Sequence, residues 1–290
     1  MLGAERRGAL MVSAAAILWG TWSLYLRPTG LSGVWTAPIV LAVIGVSALP
    51  LVRLDPREVR WDRSTLGLLA LYALSDAINA GTFFFAMQVT TLAVAVLTHC
   101  TAPILVALLA PRFDGLRVRG SLAAAAVALL GLVLLLRPWA TREGDAEGSV
   151  LLGAALGLAS AVGYASAVLS AKALSARIGV GRATAYHALL AAALFVPLAA
   201  AMPEPVEARD VGTLAAGALV SGTLATWLFL AGMREIGAAR AAVLSFLEPL
   251  VAVLVGWLVW GETLGLVSIA GGALVVGAAA FVARAKPEPA

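Results

Sequence analysis

The sequence predicts an all-α protein that crosses a lipid bilayer ten times. Of its 290 residues, 61% are hydrophobic and only 12% are charged, whereas a soluble domain carries about 25% charged residues. So few charges cannot cover a water-soluble protein of this size, which excludes a soluble enzyme. The apolar residues form continuous runs of about 20, the length that a helix needs to cross the hydrocarbon core. They do not alternate with polar residues, as the strands of a membrane barrel would.

Ten such runs are present, and we number them as spans one to ten in chain order. Their predicted limits are 8–26, 31–52, 65–87, 91–111, 119–136, 149–171, 181–202, 212–232, 239–260 and 264–282. The connections between them are too short to hold a soluble domain. The longest connection, 138–148, is rich in charged residues and is expected to be a solvated linker.

The positive residues between the spans predict the orientation of the chain. If the N-terminus lies in the cytoplasm, 16 of the 20 arginine and lysine residues fall on cytoplasmic segments and four on the other side. Positive residues in short loops stay cytoplasmic, so both termini are expected in the cytoplasm, at a cell inner membrane. The same distribution accounts for the net charge of +4 without a nucleic-acid partner.

The two halves of the chain contain similar segments. Residues 83–103 and 229–249 correspond at an offset of 146 residues, and spans one and six correspond at a slightly shorter offset. The paired residues include Phe83 with Phe229, Met87 with Met233, Pro103 with Pro249 and Gly20 with Gly163. Because each half has an odd number of spans, the second half must cross the membrane in the opposite direction, as in inverted-repeat transporters. We therefore expect a five-helix repeat in 1–140 and an inverted five-helix repeat in 141–290, which together form one transport domain.

The most characteristic stretch is 244–282, which reads LSFLEPLVAVLVGWLVWGETLGLVSIAGGALVVGAAAFV. It has a proline inside span nine, the pair Gly261 and Glu262 at the end of that span, and a glycine-rich span ten; a weaker copy begins at Thr101. With these motifs the chain resembles the drug/metabolite transporter superfamily, in its ten-helix EamA-type branch. The resemblance implies an exporter or facilitator of amino acids or other small metabolites.

Ionisable residues inside a membrane are costly and mark candidate functional sites. In span three, Asp76 shares one helical face with Tyr72, Asn79 and Phe83. The carboxylate can bind an ammonium group, the amide can donate or accept hydrogen bonds, and the rings can make cation–π contacts. This face is therefore a candidate for substrate binding, and Asp76 for proton coupling. The alternative is a protonated carboxyl that bonds to a neighbouring helix.

Spans nine and four hold further candidates for binding or proton coupling. Glu248 directly precedes a proline, which should break the helix beside a carboxyl group, and Ser245 lies one turn before it. The alternative role of this motif is to form the kink alone. His99 titrates near neutral pH unless its surroundings change it, and a bond to a backbone carbonyl is its alternative role. His187 and Arg240 are expected near the membrane surface.

Four aromatic residues inside the spans, Trp19, Trp22, Tyr164 and Trp227, are predicted to form an apolar wall of the substrate site. A lipid-facing position is the alternative for each tryptophan. The chain has no phosphate-binding loop, no histidine pair with metal-ligand spacing and no nucleophile with an evident base, so no cofactor is expected.

These features favour a secondary transporter and not an enzyme. Carboxyl groups without a deep cationic partner favour amino acids or related zwitterions, which would be moved by alternating access between the halves. Proton-coupled export of quaternary amines or lipophilic cations is the alternative cargo. The sequence also leaves open a membrane enzyme that acts on lipids and a scaffold that does not transport. The expected partners are the small-molecule substrate, the bilayer and protons; no nucleic acid or oligomer is required.

Overall fold

The computed structural model describes residues 2–54, 58–114, 116–140, 149–285 and 287–289, so most of the predicted linker lies outside the described residues. The α-helices are α1 (Leu2–Trp19), α2 (Ser23–Leu26), α3 (Gly33–Ala48), α4 (Arg63–Val89), α5 (Leu92–His99), α6 (Ala102–Asp114), α7 (Ser121–Leu136), α8 (Val150–Ile178), α9 (Val180–Ala201), α10 (Ala208–Gly217), α11 (Ala225–Ile236), α12 (Ala238–Leu244), α13 (Leu247–Trp260) and α14 (Leu266–Arg284). A π-helical segment, Ala218–Leu224, joins α10 to α11, and 3-10 segments cover Leu49–Leu54 and Pro138–Ala140. A short antiparallel pair joins β1 (Leu116–Val118) to β2 (Pro287–Pro289).

Nine helical segments of the described residues are long and apolar enough to cross a membrane. They are Gly3–Leu26, Gly33–Arg53, Arg63–Val89, Ala93–Phe113, Val150–Ile178, Val180–Ala201, Ala208–Ile236, Ala238–Trp260 and Leu266–Arg284. They match every predicted span except the fifth, which is the apolar helix α7 with 16 residues. Large apolar side chains are exposed on α7 and on each of the nine segments. The prediction of an all-α, polytopic membrane protein is therefore confirmed.

Local sequence signals set several helix ends. The Asp62 carboxylate accepts the Thr65 backbone N–H at 2.7 Å and starts α4. This bond lowers the pKa of Asp62, because the N–H stabilises the charged carboxylate. Gly179 and Gly237 end α8 and α11 with φ of 86° and 83°, a conformation that glycine adopts without strain. These glycines form tight turns from span six to span seven and from span eight to span nine.

Spans four and nine are both broken in the middle, at corresponding places. The first segment of span four ends at His99 and the second begins at Ala102, while the segments of span nine meet between Leu244 and Leu247. A proline follows within the first turn of each second segment, where no intrahelical N–H bond is lost. The predicted break beside Glu248 is therefore present.

The most extensive helix contacts join the two halves of the chain. They are formed by α4 with α8, α7 with α14, α1 with α11, and α3 with α9. In terms of spans, three packs on six, five on ten, one on eight, and two on seven. Span four packs on both span six and span nine.

The bundle is packed more densely at one end than at the other. The dense end holds both chain termini, and we call it the terminal end. There, every residue of α12 from Ala238 to Leu244 is buried, within a core cluster that also includes residues of α1, α8 and α11. At the opposite end, α2 has no buried residue, and in α13 only Pro249 and Gly256 are buried.

Arg240 is part of the terminal end and corrects the prediction that its side chain reaches the membrane surface. It is 1% exposed. Its Nε and Nη2 donate to the carbonyls of Val282 and Ala283 at 3.2 and 2.7 Å, and its Nη1 lies 3.4 Å from the Glu5 carboxylate. The last carbonyls of a helix lack intrahelical donors, so the guanidinium supplies them at the end of α14 while it binds span one.

Candidate functional site

Asp76 lies at the midpoint of span three and forms an ion-pair contact with His187 of span seven. The Asp76 Oδ2 and His187 Nε2 atoms are 3.4 Å apart, and the Tyr72 ring stacks on the imidazole with centroids 3.8 Å apart at 11°. His187 is 3% exposed and is buried among the helices, although its position toward one end of span seven in the sequence predicts a place near the membrane surface. The sequence has an aspartate in one span and a histidine in another, but no local signal says that these two spans touch.

Asn79 and Phe83 continue the same face of span three toward spans six and four. The Ser160 hydroxyl lies 2.9 Å from Asn79 Oδ1, 3.0 Å from the Asn79 carbonyl and 2.8 Å from His99 Nδ1. A hydroxyl has one proton, which it donates to an Asn79 oxygen, so His99 Nδ1 donates to Ser160. The Asn79 NH₂ group and His99 Nε2 then remain for other partners. The His99 ring packs against Phe83 at 4.6 Å and Tyr164 at 5.5 Å.

Tyr164 lies near both candidate carboxyl groups. Its hydroxyl is buried and has no hydrogen bond of ordinary geometry to the described residues. Ser245 lies beside it but donates its own proton to the Ala242 carbonyl at 2.7 Å. Both Glu248 and Asp76 are near enough to act on the phenol electrostatically. A buried hydroxyl without a hydrogen-bond partner is a natural contact point for a polar ligand.

The aromatic residues predicted to line the site do not form one continuous wall. Trp19, Tyr164 and Trp227 all pack against the core cluster of the terminal end, and the Trp19 ring lies 4.9 Å from Phe229. Trp22 contacts Tyr25 instead, with ring centroids 6.5 Å apart. Trp19, Tyr164 and Trp227 are half-buried. The two tryptophans bound the region around Tyr164 on the side of the terminal end.

Comparison with known proteins identifies the family. The EamA-like transporter family model matches residues 151–284. An uncharacterized transporter of Archaeoglobus fulgidus is 30% identical over 275 residues, which cover 93% of this chain and 94% of that protein. The chain belongs to the EamA-like transporter family. It is therefore a multi-pass membrane transporter of the drug/metabolite transporter superfamily.

Two further similarities agree with this family assignment. The uncharacterized transporter YcbK of Bacillus subtilis is 32% identical over 151 residues, 49% of this chain and 47% of that protein. A protein of known crystal structure matches with a TM-score of 0.80 at 20% identity, covering 96% of this chain and 98% of the other. At this identity the structural match establishes a shared fold and nothing about substrate.

Two glycines of the transporter let helices cross beside the candidate site. A Cβ on Gly163 would lie 2.9 Å from backbone atoms of Ser75 and Asn79, and one on Gly20 would lie 2.6 Å from the Glu248 carbonyl oxygen. Small residues allow membrane helices to approach this closely. The two glycines bring the backbones that carry Asn79 and Glu248 into direct contact with spans six and one.

The described residues of the transporter contain no group of three or more histidine, cysteine, aspartate or glutamate side chains that could hold a metal ion. The acceptors in this region are the Asp76 and Glu248 carboxyl groups. The donors are the Asn79 NH₂ group and the Tyr164 hydroxyl. This set can bind a small polar molecule by charge and hydrogen bonds.

Proposed function

We propose that the chain is a secondary transporter of amino acids or related small zwitterionic metabolites. The observation that carries this proposal is the buried Tyr164 hydroxyl, which has no hydrogen-bond partner among the described residues and lies near both Asp76 and Glu248. The carboxyl groups suit the ammonium group of a zwitterion. The Tyr164 hydroxyl and the Asn79 NH₂ group can donate to its carboxylate.

The bonds that the buried arginine already makes favour a zwitterionic substrate over an anionic one. Arg240, the deeply buried arginine of the described residues, is held by two carbonyls and Glu5. A carrier of phosphorylated anions would need an accessible buried cation at the site. The half-buried rings of Trp19 and Trp227 offer surface to an apolar substrate side chain.

Alternating access is the mechanism that suits two halves arranged as an inverted repeat of ten spans, residues 1–140 and 141–290. If each span is replaced by the span five places away, the pair of spans three and six becomes the pair of spans eight and one. The pairs five with ten and two with seven stay the same. Hydrogen bonds support the same symmetry. Ser75 and Ser166 bond at 2.8 Å between spans three and six, and Thr21 and Ser221 bond at 2.9 Å between spans one and eight. Ser75 and Ser221 are separated by the offset of the sequence repeat.

The dense packing of the terminal end supports a state in which the site is closed toward that end and reached from the other. With both termini in the cytoplasm of a cell inner membrane, as the positive residues predict, this is the outward-open state. Rocking of the halves about the site would then open the terminal end. One chain contains both halves, so the mechanism requires no oligomer.

Uptake by proteoliposomes tests the proposed substrate class. The probes are a mixture of radiolabelled amino acids and, in a second arm, radiolabelled choline and tetraphenylphosphonium. Asp76→Asn and Glu248→Gln should each raise the half-saturation concentration for amino acids about tenfold or more, because a hydrogen bond to a charged group contributes about 1.5–3 kcal/mol. Glu58→Gln, at an exposed position, is the matched control and should leave uptake unchanged.

Two results would contradict the proposal. If the Asp76→Asn/Glu248→Gln double variant kept normal uptake and an unchanged pH profile, the site would be wrong. If only choline or tetraphenylphosphonium entered the vesicles, the cargo would be a cation and the alternative substrate class would hold.

A further inference from the structure

The contact between Asp76 and His187 joins span three of the first half to span seven of the second. We propose that these two side chains form one proton-binding site, with His187 as the partner that makes Asp76 a proton carrier. The coupling of this proton to substrate movement rests on the proposed transport function. The proton site itself does not, because it follows from the hydrogen-bonding roles of the atoms involved.

The first step concerns which nitrogen of His187 carries a fixed proton. His187 Nδ1 lies 2.8 Å from the Ala183 carbonyl oxygen. A carbonyl oxygen can only accept a hydrogen bond, so Nδ1 must be the donor and is protonated. The nitrogen that faces Asp76 is therefore Nε2, which in a neutral imidazole with this tautomer carries a lone pair.

The second step counts protons between the two side chains. Nε2 and Asp76 Oδ2 are 3.4 Å apart, and without a proton both would be acceptors directed at each other. One proton makes the contact attractive, either as imidazolium with carboxylate or as imidazole with carboxylic acid. Loss of that proton leaves one negative charge and two opposed lone pairs. The pair thus binds and releases a single proton, and its contact between spans three and seven depends on that proton.

Access to the pair is one-sided. The His187 side chain is 4% exposed and is covered by the Tyr72 ring, whereas the Asp76 side chain is 24% exposed. Asp76 is therefore the more accessible member of the pair, and a proton reaches the pair through it. Binding of an ammonium group to Asp76 would compete with His187 for the same carboxylate, which links proton release to substrate binding.

The ionisable groups on the neighbouring elements leave the pair as the centre of charge here. From α4 only Tyr72 joins Asp76 at the imidazole, α8 contributes Tyr164, and α3 carries no ionisable residue. The remaining ionisable groups on the packed elements are exposed Arg63; His99, which bonds to Ser160; Lys172, two turns from Tyr164 toward the terminal end; Arg177, which donates to Ser64; Arg182, which donates to Ile178; Tyr186, which packs on Trp61; exposed Arg53; Arg234; and Glu235, which pairs with Arg7.

The related crossing in the other half of the molecule is apolar. Gly222, which corresponds to Asp76 at the offset of the sequence repeat, packs on span two, where a Cβ would lie 2.5 Å from Ile44. The crossing of spans three and seven thus has Asp76 and His187 where the crossing of spans eight and two has Gly222 and Ile44. If the contact between Asp76 and His187 only held two helices together, an apolar contact would serve as well, because it needs no buried polar groups.

Histidine NMR tests the proton site directly, because the chain has two histidines, His99 and His187. The full chain with ¹³C,¹⁵N-labelled histidine in lipid nanodiscs should give two sets of imidazole signals, assigned by His99→Gln and His187→Gln. We expect His187 to be the Nδ1–H tautomer when neutral. Its imidazole signals should change with pH in the wild type and change differently in Asp76→Asn, because an asparagine side chain cannot bind or release the shared proton. Tyr72→Phe is the matched control and should leave the wild-type response unchanged.

His187 signals that do not change with pH, or that change identically in Asp76→Asn, would overturn the proposal, because deprotonation of either one-proton form alters the surroundings of Nε2. The amino-acid uptake assay separates this failure from failure of the proposed function. If the proton site and the transport function are both right, His187→Gln flattens the pH dependence of uptake, whereas Glu58→Gln leaves it unchanged. If the His187 signals respond as expected and no amino acid is taken up, the proton site stands and the substrate class fails.

Discussion

The two ends of span one are held by ion pairs of opposite character. At the terminal end, Glu5 pairs with Arg240 at 3.4 Å, and the Arg240 side chain is 2% exposed. At the opposite end, Arg27 pairs with Glu262 at 2.6 Å, with side chains 44% and 50% exposed. The shorter pair is the weaker one, because water screens exposed charges while a buried charge has no substitute for its partners.

This difference ranks the contacts that hold span one at its two ends. At the terminal end, the partner of Glu5 is an arginine that is also bound to two carbonyls. At the opposite end, span one is held by the exposed pair and by the Trp260 indole N–H, which lies 3.2 Å from the Ser23 hydroxyl. The contacts of span one are therefore expected to be weaker at the opposite end, and substitutions at the two ends test this ranking.

Arg240→Ala should have the largest effect on stability. It removes the Arg240 donor from the Ala283 carbonyl and the Glu5 carboxylate and leaves the Val282 carbonyl only the Ala285 backbone N–H, a change that costs about 3 kcal/mol or more for buried pairs. The free energy of unfolding in mixed detergent–SDS micelles measures this. Arg6→Ala, at an exposed position beside Glu5 in the chain, is the control and should change that free energy little; equal losses in both variants would refute the comparison.

Gly20→Ala should destabilise the transporter by about 1–3 kcal/mol, the usual cost of overpacking. The new Cβ would lie 2.5 Å from the Val251 Cβ and 2.6 Å from the Glu248 carbonyl oxygen, so spans one and nine must move apart. The same unfolding assay and amino-acid uptake check this. Gly67→Ala is the control, since a Cβ there meets nothing within 4 Å, and it should be neutral or stabilising.

Arg27→Ala should cost below about 1 kcal/mol, the usual range for an exposed pair. In the proposed alternating-access cycle the contacts at this end change, so the variant should alter the uptake rate more than the stability. Added salt, which screens the exposed pair, should lower the stability of the wild type by about as much as the substitution does. A loss of stability as large as that of Arg240→Ala would show that exposure does not rank these pairs.

Substitution of Asp62 should have the smallest effect on stability. Asp62 lies near the terminal end yet is exposed, so it tests whether burial or location at that end determines the size of the effect. Its pKa is lowered by the bond to Thr65, so its stabilisation is present above the ordinary aspartate pKa of about 3.9 and is lost as pH falls through the lower folded value. The melting temperature of Asp62→Ala should be slightly below wild type at neutral pH, and the difference should disappear in acid. Asp62→Asn retains the cap and should show no such pH dependence.

Several features of the fold could be predicted from local sequence. The lengths of the apolar runs located the spans, and the proline after Glu248 predicted the break in span nine. The face of span three was also predictable, because Tyr72, Asp76 and Asn79 are spaced at helical intervals. These signals depend on residues within about two turns of each other.

The partners of those residues could not be predicted in this way. Ser160 contacts both Asn79 and His99, yet in the sequence it is one small residue in a stripe of small residues. His187 and Arg240 lie toward the ends of their spans in the sequence, and each is nevertheless buried by helices that are distant along the chain. Trp22, grouped with Trp19 by spacing, has a different ring partner, since Trp19 packs on Phe229 and Trp22 on Tyr25.

The sequence by itself determined that this chain is helical, crosses a membrane many times and carries ionisable groups at mid-depth, because hydrophobicity and helical periodicity are local properties. The tertiary structure decided that Asp76 meets His187, that the Tyr164 hydroxyl is buried near two carboxyl groups and that Arg240 joins span one to the end of α14. Those contacts join residues up to 235 positions apart, and they exist only once the spans have packed.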